Sequence, residues 1–204
     1  MTSGKFIAIA GNIGAGKSSL VDFLKAQYGF TALYEPFVTN PYLDDFYADM
    51  RAWAFHSQTY FLTHKFRLHL EVNDHEGTLV QDRTIYEDAE IFCTHLHRTR
   101  MISKRDYRTY MELYEGMQKV LRPPDLLIYL RCSVRAIRRR VKQRGRESEQ
   151  SIRTSYLSGL NKLYEGWVSG YTMSPVLVWD SERMDYLTDL VDRIEFRDQL
   201  RRFL

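Results

Sequence analysis

Three groups of residues have the types and spacing to do chemistry. The first, Gly11-Asn12-Ile13-Gly14-Ala15-Gly16-Lys17-Ser18, fits G-x-x-x-x-G-K-[ST]. Its glycines let the backbone curl until successive N–H groups point at one centre, which suits phosphate oxygens. Lys17 would reach the β- and γ-phosphates of a nucleoside triphosphate such as ATP, and the Ser18 hydroxyl would ligate Mg²⁺. The second group is a pair of acid-bearing segments, Glu35-Pro36 and Asp82-Arg83-Thr84. A carboxylate facing the loop can hold Mg²⁺ through water, and one near an acceptor hydroxyl can take its proton as a P–O bond forms. Arg83 can bridge the acceptor oxygen and the phosphoryl group, whose equatorial oxygens share negative charge. The third group is a run of eight Arg or Lys, with no acid, from Arg131 to Arg146.

These groups need a scaffold, and the hydrophobic pattern supplies one. Five β-type runs stand at 6–10, 31–34, 78–81, 125–130 and 175–179. The last two have continuously apolar centres, as in strands covered on both faces. Helical patterns lie between the runs, at about 17–28, 42–71, 86–99, 104–121, 134–144, 148–168 and 184–203. The alternation predicts an α/β fold of P-loop NTPase type: a five-stranded parallel sheet with helices on both faces and right-handed crossovers. The glycine-rich loop then leads from the first strand into the first helix, whose N-terminus adds partial positive charge. The two acidic segments close the second and third strands, where an open α/β sheet places its ligands.

The basic run falls on the helix after the fourth strand. At about 100° per residue, Arg135, Arg139 and Lys142 share one face, and Arg140 and Arg144 lie nearly opposite. Gly145 permits a break that releases Arg146 into a loop before Glu147-Ser148-Glu149-Gln150. Basic residues all round, without aromatic neighbours, argue against a nucleic-acid stripe. They predict an Arg-rich lid over about 138–150 that closes on a triphosphate.

Composition bounds the rest. The 204 residues carry 29 basic and 26 acidic side chains for a net charge of +3, with 44% hydrophobic and 27% charged residues. That mixture is ordinary for a soluble globular protein and excludes a disordered chain, a collagen-like repeat or a disulfide scaffold. The length predicts a single domain over residues 1–204. Cys93 and Cys132 have no CxxC spacing, which predicts free thiols in a reducing compartment. The first residues lack a signal-peptide layout, and no window reaches the roughly 18 apolar residues of a membrane span. The expectation is a cytoplasmic protein with neither membrane nor nucleic acid as partner.

A site for a flat heterocycle is also readable. Gln58, Phe61, Leu62 and Lys65 fall at i, i+3, i+4 and i+7, one helix stripe with polar ends and an apolar centre. Asp88 and Phe92 lie one turn apart on the next helix, so an acid and a ring can face the same heterocycle. An amide such as Gln58 can donate and accept at once, as purine and cytosine edges both require. The alternative for the stripe is simple core packing. For Tyr107, Tyr110, Met111 and Tyr114, at helical spacing, core and interface are both open.

Taken together, the chain resembles the deoxyribonucleoside kinases, and most of all their bacterial deoxyadenosine/deoxycytidine kinase branch. The resemblance runs from the phosphate loop through Glu35-Pro36, Asn40-Pro41-Tyr42-Leu43, Phe46-Tyr47, Arg51-Ala52-Trp53-Ala54-Phe55, Gln58-Thr59-Tyr60, Asp82-Arg83-Thr84-Ile85-Tyr86-Glu87-Asp88, Ile91-Phe92, Ile128-Tyr129-Leu130 and Arg144-Gly145-Arg146. It implies transfer of the γ-phosphoryl group of ATP, or another NTP, to the 5′-hydroxyl of a deoxynucleoside, with Mg²⁺, by a homodimer. It further implies that Glu35 is the base for the 5′-hydroxyl, Arg83 its partner, and Asp82 the acid holding Mg²⁺ with Ser18. Asp82 as proton acceptor is the second assignment. Tyr47 and Glu149 match the pair that grips the sugar 3′-hydroxyl. Gln58 matches the amide that reads the base, Phe92 the ring that stacks on it, and Arg140, Arg144 and Arg146 the lid arginines.

One departure stands out. Lys65 occupies the position where this branch usually has Arg paired with an acid like Asp88. A flexible point charge is no substitute for a planar fork, so base choice turns on this position. The expected order is deoxyadenosine, then deoxycytidine or deoxyguanosine. Two other functions compete. A nucleoside monophosphate kinase of the thymidylate kinase type needs no proton acceptor and wants a cation where Glu35 stands. A non-catalytic nucleotide-binding subunit could dispense with Lys17, Glu35 or Arg83, and all three are present.

Overall fold

Residues 4–34, 39–183 and 185–203 are described by the computed structural model. Glu35 and Pro36 lie outside the described residues. Strands β1 (Phe6–Ala10), β2 (Thr31–Leu33), β3 (Leu79–Asp82), β4 (Leu126–Arg131) and β5 (Val176–Asp180) form one sheet in the order β2-β3-β1-β4-β5. Every pairing is parallel, with Ile9 beside Asp82 and Ile128. All five β1 residues are fully buried, because β1 is central and both sheet faces are covered. Burying the Ile7 and Ile9 side chains stabilises the fold by roughly 1.5–3 kcal/mol each. The predicted strands are reproduced to within a residue or two at their ends. At the sheet edge β5 alternates instead, with Val178 exposed between buried Leu177 and Trp179.

The helices are α1 (Lys17–Tyr28), α2 (Leu43–Ala48), α3 (Met50–Asn73), α4 (Ile85–Glu87), a π-helical turn Asp88–Cys93, α5 (Thr94–Arg98), α6 (Lys104–Gln118), α7 (Val134–Arg144), α8 (Glu147–Gln150), α9 (Thr154–Ser169) and α10 (Leu190–Arg201). Four of the expected helices are subdivided or shortened. The span 42–71 breaks at Asp49, whose side chain accepts from the N–H groups of Arg51 and Ala52 and so starts α3 afresh. The span 86–99 contains the π turn, where Thr94 Oγ1 donates to Ala89 O. The span 148–168 is interrupted between Gln150 and Thr154, and the last helix starts at Leu190, where Asp189 caps it. Ser103 caps α6 and Ser133 caps α7 through their hydroxyls, and left-handed Gly145 ends α7 where the sequence permits a break.

Tyr110 and Tyr114 of α6 are buried in the core. Cys93 and Cys132 are both free and buried. Among the described residues, no helix is long and apolar enough to cross a membrane.

Candidate active site

The site lies at the carboxyl ends of β1 and β3, adjacent parallel strands in the middle of the sheet. β1 runs into the phosphate loop, Gly11–Ser18, and Ser18 opens the second position of α1. Gly16 caps α1 at φ 103°, and Gly14 sits at φ 77° with its Cα turned toward Val141 of α7, where a Cβ would approach to 3.0 Å. Neither position suits an L side chain. Lys17 is buried, and its Nζ donates to Asn12 O at 3.1 Å, back across the loop it would serve. The Asn12 side chain turns the other way: it donates to Leu157 O and Asn161 Oδ1 on α9 and accepts from Ile13 N. The Asn12 side chain thus fastens the loop to α9.

At the end of β3, Asp82 Oδ2 accepts from the Ser18 hydroxyl at 2.5 Å. Its second oxygen, Oδ1, is buried and accepts no hydrogen bond among the described residues. Two oxygen donors beside a phosphate loop, one of them unsatisfied, fit a hard cation such as Mg²⁺. Arg83 follows in the left-handed region at φ 57°, a conformation costing a non-glycine residue about 1–3 kcal/mol. Its N–H bonds to Ile9 O, and its guanidinium lies 4.4 Å from the centre of the Phe92 ring.

Glu87, which the sequence reading left without a role, is fully buried beneath Arg83. Its Oε1 accepts from Tyr164 Oη at 2.8 Å and Gly11 N at 3.4 Å, and its Oε2 from Thr84 N at 3.0 Å. Burial pushes its carboxyl up, against the opposing pull of the Arg83 and Lys17 cations. The spacing Thr84-x-x-Glu87 is that of a capping box, so the Thr84 contact was readable, whereas the contacts to β1 and α9 were not.

Two cavities meet here. One, of about 280 Å³, holds Tyr47, Gln58, Phe61, Asp88, Phe92 and Glu149 along its walls, together with Lys17, Ser18, Asp82 and Arg83 at its end. The other, of about 590 Å³, runs from the loop residues Gly14–Ser19 out between α7 and the residues Ser181, Glu182, Asp185, Tyr186 and Leu187. Lys17, Ser18, Arg144 and Arg146 border both. Arg144 and Arg146 converge on the buried Glu149 of α8, with Arg146 Nη1 at 3.3 Å from Glu149 Oε1. Arg140 is held more tightly: it donates to Ala15 O at 3.0 Å, to Ser181 Oγ at 3.1 Å and to the Ser181 carbonyl. It braces the loop against the end of β5, while Arg135, Arg138 and Lys142 line an outer groove.

The predicted heterocycle stripe divides in two. Gln58 and Phe61 face the first cavity, and Leu62 and Lys65 pack behind it. Lys65 is 0% exposed and reaches Asp88 Oδ1 at 2.7 Å, with Nζ 5.5 Å from the Phe61 ring centre. Asp88 is at the cavity wall, so Lys65 stands behind it. Tyr34 and Tyr156 also line this cavity, and neither was singled out from the sequence. The Tyr34 hydroxyl donates to Asp22 Oδ1, which pushes its pKa up to about 12.

A phosphate loop opening onto one cavity for a nucleotide and another for a flat acceptor defines a phosphotransferase of the P-loop class. The chain belongs to the deoxynucleoside kinase family, whose model matches residues 7–204. A deoxyadenosine/deoxycytidine kinase of Bacillus subtilis is 41% identical over 187 residues, covering 90% of this chain and 85% of that protein. A deoxyadenosine kinase of Lactobacillus acidophilus is 35% identical over 196 residues, with 90% and 89% covered. Among solved structures, deoxyadenosine kinase from M. mycoides with the products dCMP and a flexible dCDP bound superposes with a TM-score of 0.85. It is 32% identical, and the match covers 98% of this chain and all of that one.

Proposed function

We propose that this deoxynucleoside kinase phosphorylates deoxyadenosine in preference to deoxycytidine or deoxyguanosine, using ATP or another NTP with Mg²⁺. The observation that carries the reading of an amine-bearing base is that Asp88 and Gln58 both line the first cavity, and the order deoxyadenosine before deoxycytidine follows the resemblance. A carboxylate there accepts from an exocyclic amine, and the amide both donates to and accepts from the adjoining edge. Adenine and cytosine offer that amine beside a ring acceptor, whereas thymine and guanine present a carbonyl oxygen to the carboxylate. Phe92 and Phe61 supply the apolar faces for the ring. Tyr47 and Glu149 are the candidates for the sugar 3′-hydroxyl.

In this reading Glu35 takes the proton of the 5′-hydroxyl as its oxygen bonds to the γ-phosphorus and the bond to the β-phosphate oxygen breaks. Arg83 faces the phosphoryl oxygens, and Lys17 with the loop N–H groups holds the donor phosphates. Ser18 and Asp82 are the residues that would hold Mg²⁺, which when bound neutralises phosphate charge. Arg144 and Arg146 close residues 138–150 over the donor as a lid of the single domain 1–204, and Arg140 steadies the loop beneath. By resemblance the working form is a homodimer, and its free thiols suit the reducing cytoplasm. The decisive assay supplies the four deoxynucleosides at equal concentration with ATP, beside AMP, CMP and dTMP. Deoxyadenosine is expected to give the highest kcat/KM; phosphorylation of the monophosphates alone would overturn the reading.

A further inference from the structure

Glu87 is more than the end of a capping box. Glu87 is 0% exposed, so its carboxyl oxygens must find their partners within the protein. Its carboxylate gathers N–H and O–H donors from three parts of the fold: Gly11 at the end of β1, Thr84 at the start of α4, and Tyr164 on α9. The Arg83 Nε lies 3.9 Å from Glu87 Oε1. Arg83 in turn reaches Gly11 O with Nη2 at 3.5 Å. Gly11 is thus touched on its N–H by Glu87 and on its carbonyl by Arg83, one contact on each of its two flanking peptides. Both charges bear on the first residue of the phosphate loop.

We infer that Glu87 is a positioning residue for the phosphoryl transfer, holding Arg83 in its left-handed conformation and in register with the phosphate loop. The inference rests on the proposed role of Arg83. A carboxylate with two acceptor oxygens and no hydrogen meets all three donors; an amide of the same shape turns one of those acceptors into a donor. Replacement by Gln therefore leaves the side chain's volume intact but sets its NH₂ against either Thr84 N–H or the Gly11 and Tyr164 donors. It also removes the charge facing the guanidinium.

The experiment compares Glu87→Gln, Arg83→Lys and the double variant by steady-state kinetics with ATP, Mg²⁺ and deoxyadenosine, with thermal melting in parallel. The expected result is a kcat about 10- to 100-fold lower for Glu87→Gln, with KM for ATP and deoxyadenosine within threefold of the parent. The double variant should be no slower than Arg83→Lys alone, because both substitutions remove one function. A Glu87→Gln kcat within twofold of the parent, or losses that multiply in the double variant, overturns the inference and leaves the role of Arg83 standing. An unchanged kcat for Arg83→Lys instead overturns the role of Arg83 itself. If Glu87→Gln does not fold, Tyr164→Phe removes one donor and keeps the ring stacked on Tyr129. A three- to tenfold fall in kcat at constant KM for ATP then supports the inference, and an unchanged kcat refutes it.

Discussion

Lys65→Met takes the Lys65 ammonium away from the Asp88 carboxylate at a site where the two side chains are 0% and 4% exposed. The partners are 2.7 Å apart, and the contact is sealed on the Lys65 side, with only the cavity edge of Asp88 open to water. Breaking one side of such a buried pair costs roughly 3–5 kcal/mol, far above the value of a surface ion pair. For a chain of this size each kcal/mol moves Tm by roughly 2–4 °C, so a fall of roughly 6–20 °C is expected in a calorimetric scan. Lys65→Met/Asp88→Leu, which removes both charges and fills the site with apolar atoms, should return to within about 1 kcal/mol of the parent. The kinetic signature is separate. Asp88 lines the acceptor cavity and Lys65 does not, so Lys65→Met should raise KM for deoxyadenosine and leave KM for ATP within twofold. A stability loss under about 1 kcal/mol, or a double variant no better than the single one, refutes the reasoning about a buried ion pair.

Glu35→Ala should lower kcat far more than it weakens deoxynucleoside binding, read from kcat beside the nucleoside Kd; an unchanged kcat removes Glu35 as the base. Lys65→Arg should change the ratios of kcat/KM among deoxynucleosides while ATP binding stays nearly intact, and equal losses with every nucleoside would remove Lys65 from base choice. Gly159→Ala should lower Tm by the equivalent of about 1–3 kcal/mol, because its Cβ would lie 2.1 Å from His95 Cε1, and His95 packs edge-on against cavity-lining Tyr156. Burial lowers the pKa of His69 and His95 below 6.5, with Arg98 adding to the effect at His95. NMR titration should find both rings neutral as pH falls past that value. Their contribution to stability is present above the unfolded pKa and is lost as pH falls through the lower folded values. Either ring titrating above 6.5 contradicts the burial seen here.

The elements were readable where local chemistry dictates them. The apolar runs of β1 and β4, the glycine-rich turn, and the break at Gly145 each depend on residues adjacent in sequence. Asp49 shows where such reading fails: the periodicity of 42–71 is continuous, yet a carboxylate that can cap two N–H groups restarts the helix there. The π turn at Asp88–Cys93 likewise leaves no mark in an apolar pattern. For the site, Lys17, Ser18, Asp82, Arg83, Gln58, Asp88 and Phe92 were chosen by type and spacing, and the fold brings all of them to one cavity.

What needed the tertiary structure was the role of each residue's surroundings. The sequence alone determines that a phosphate loop is followed by acids at strand ends and by a basic helix, since motif spacing and strand–helix alternation are local. It cannot say that Arg140 bonds to Ala15 and Ser181 while its neighbours line an outer groove, or that Lys65 stands behind Asp88. Nor can it say that Glu87 joins Gly11 and Tyr164 at separations of 76 and 77 residues. Those assignments depend on contacts between segments far apart in the chain, and burial then multiplies the electrostatic weight of each contact by excluding water.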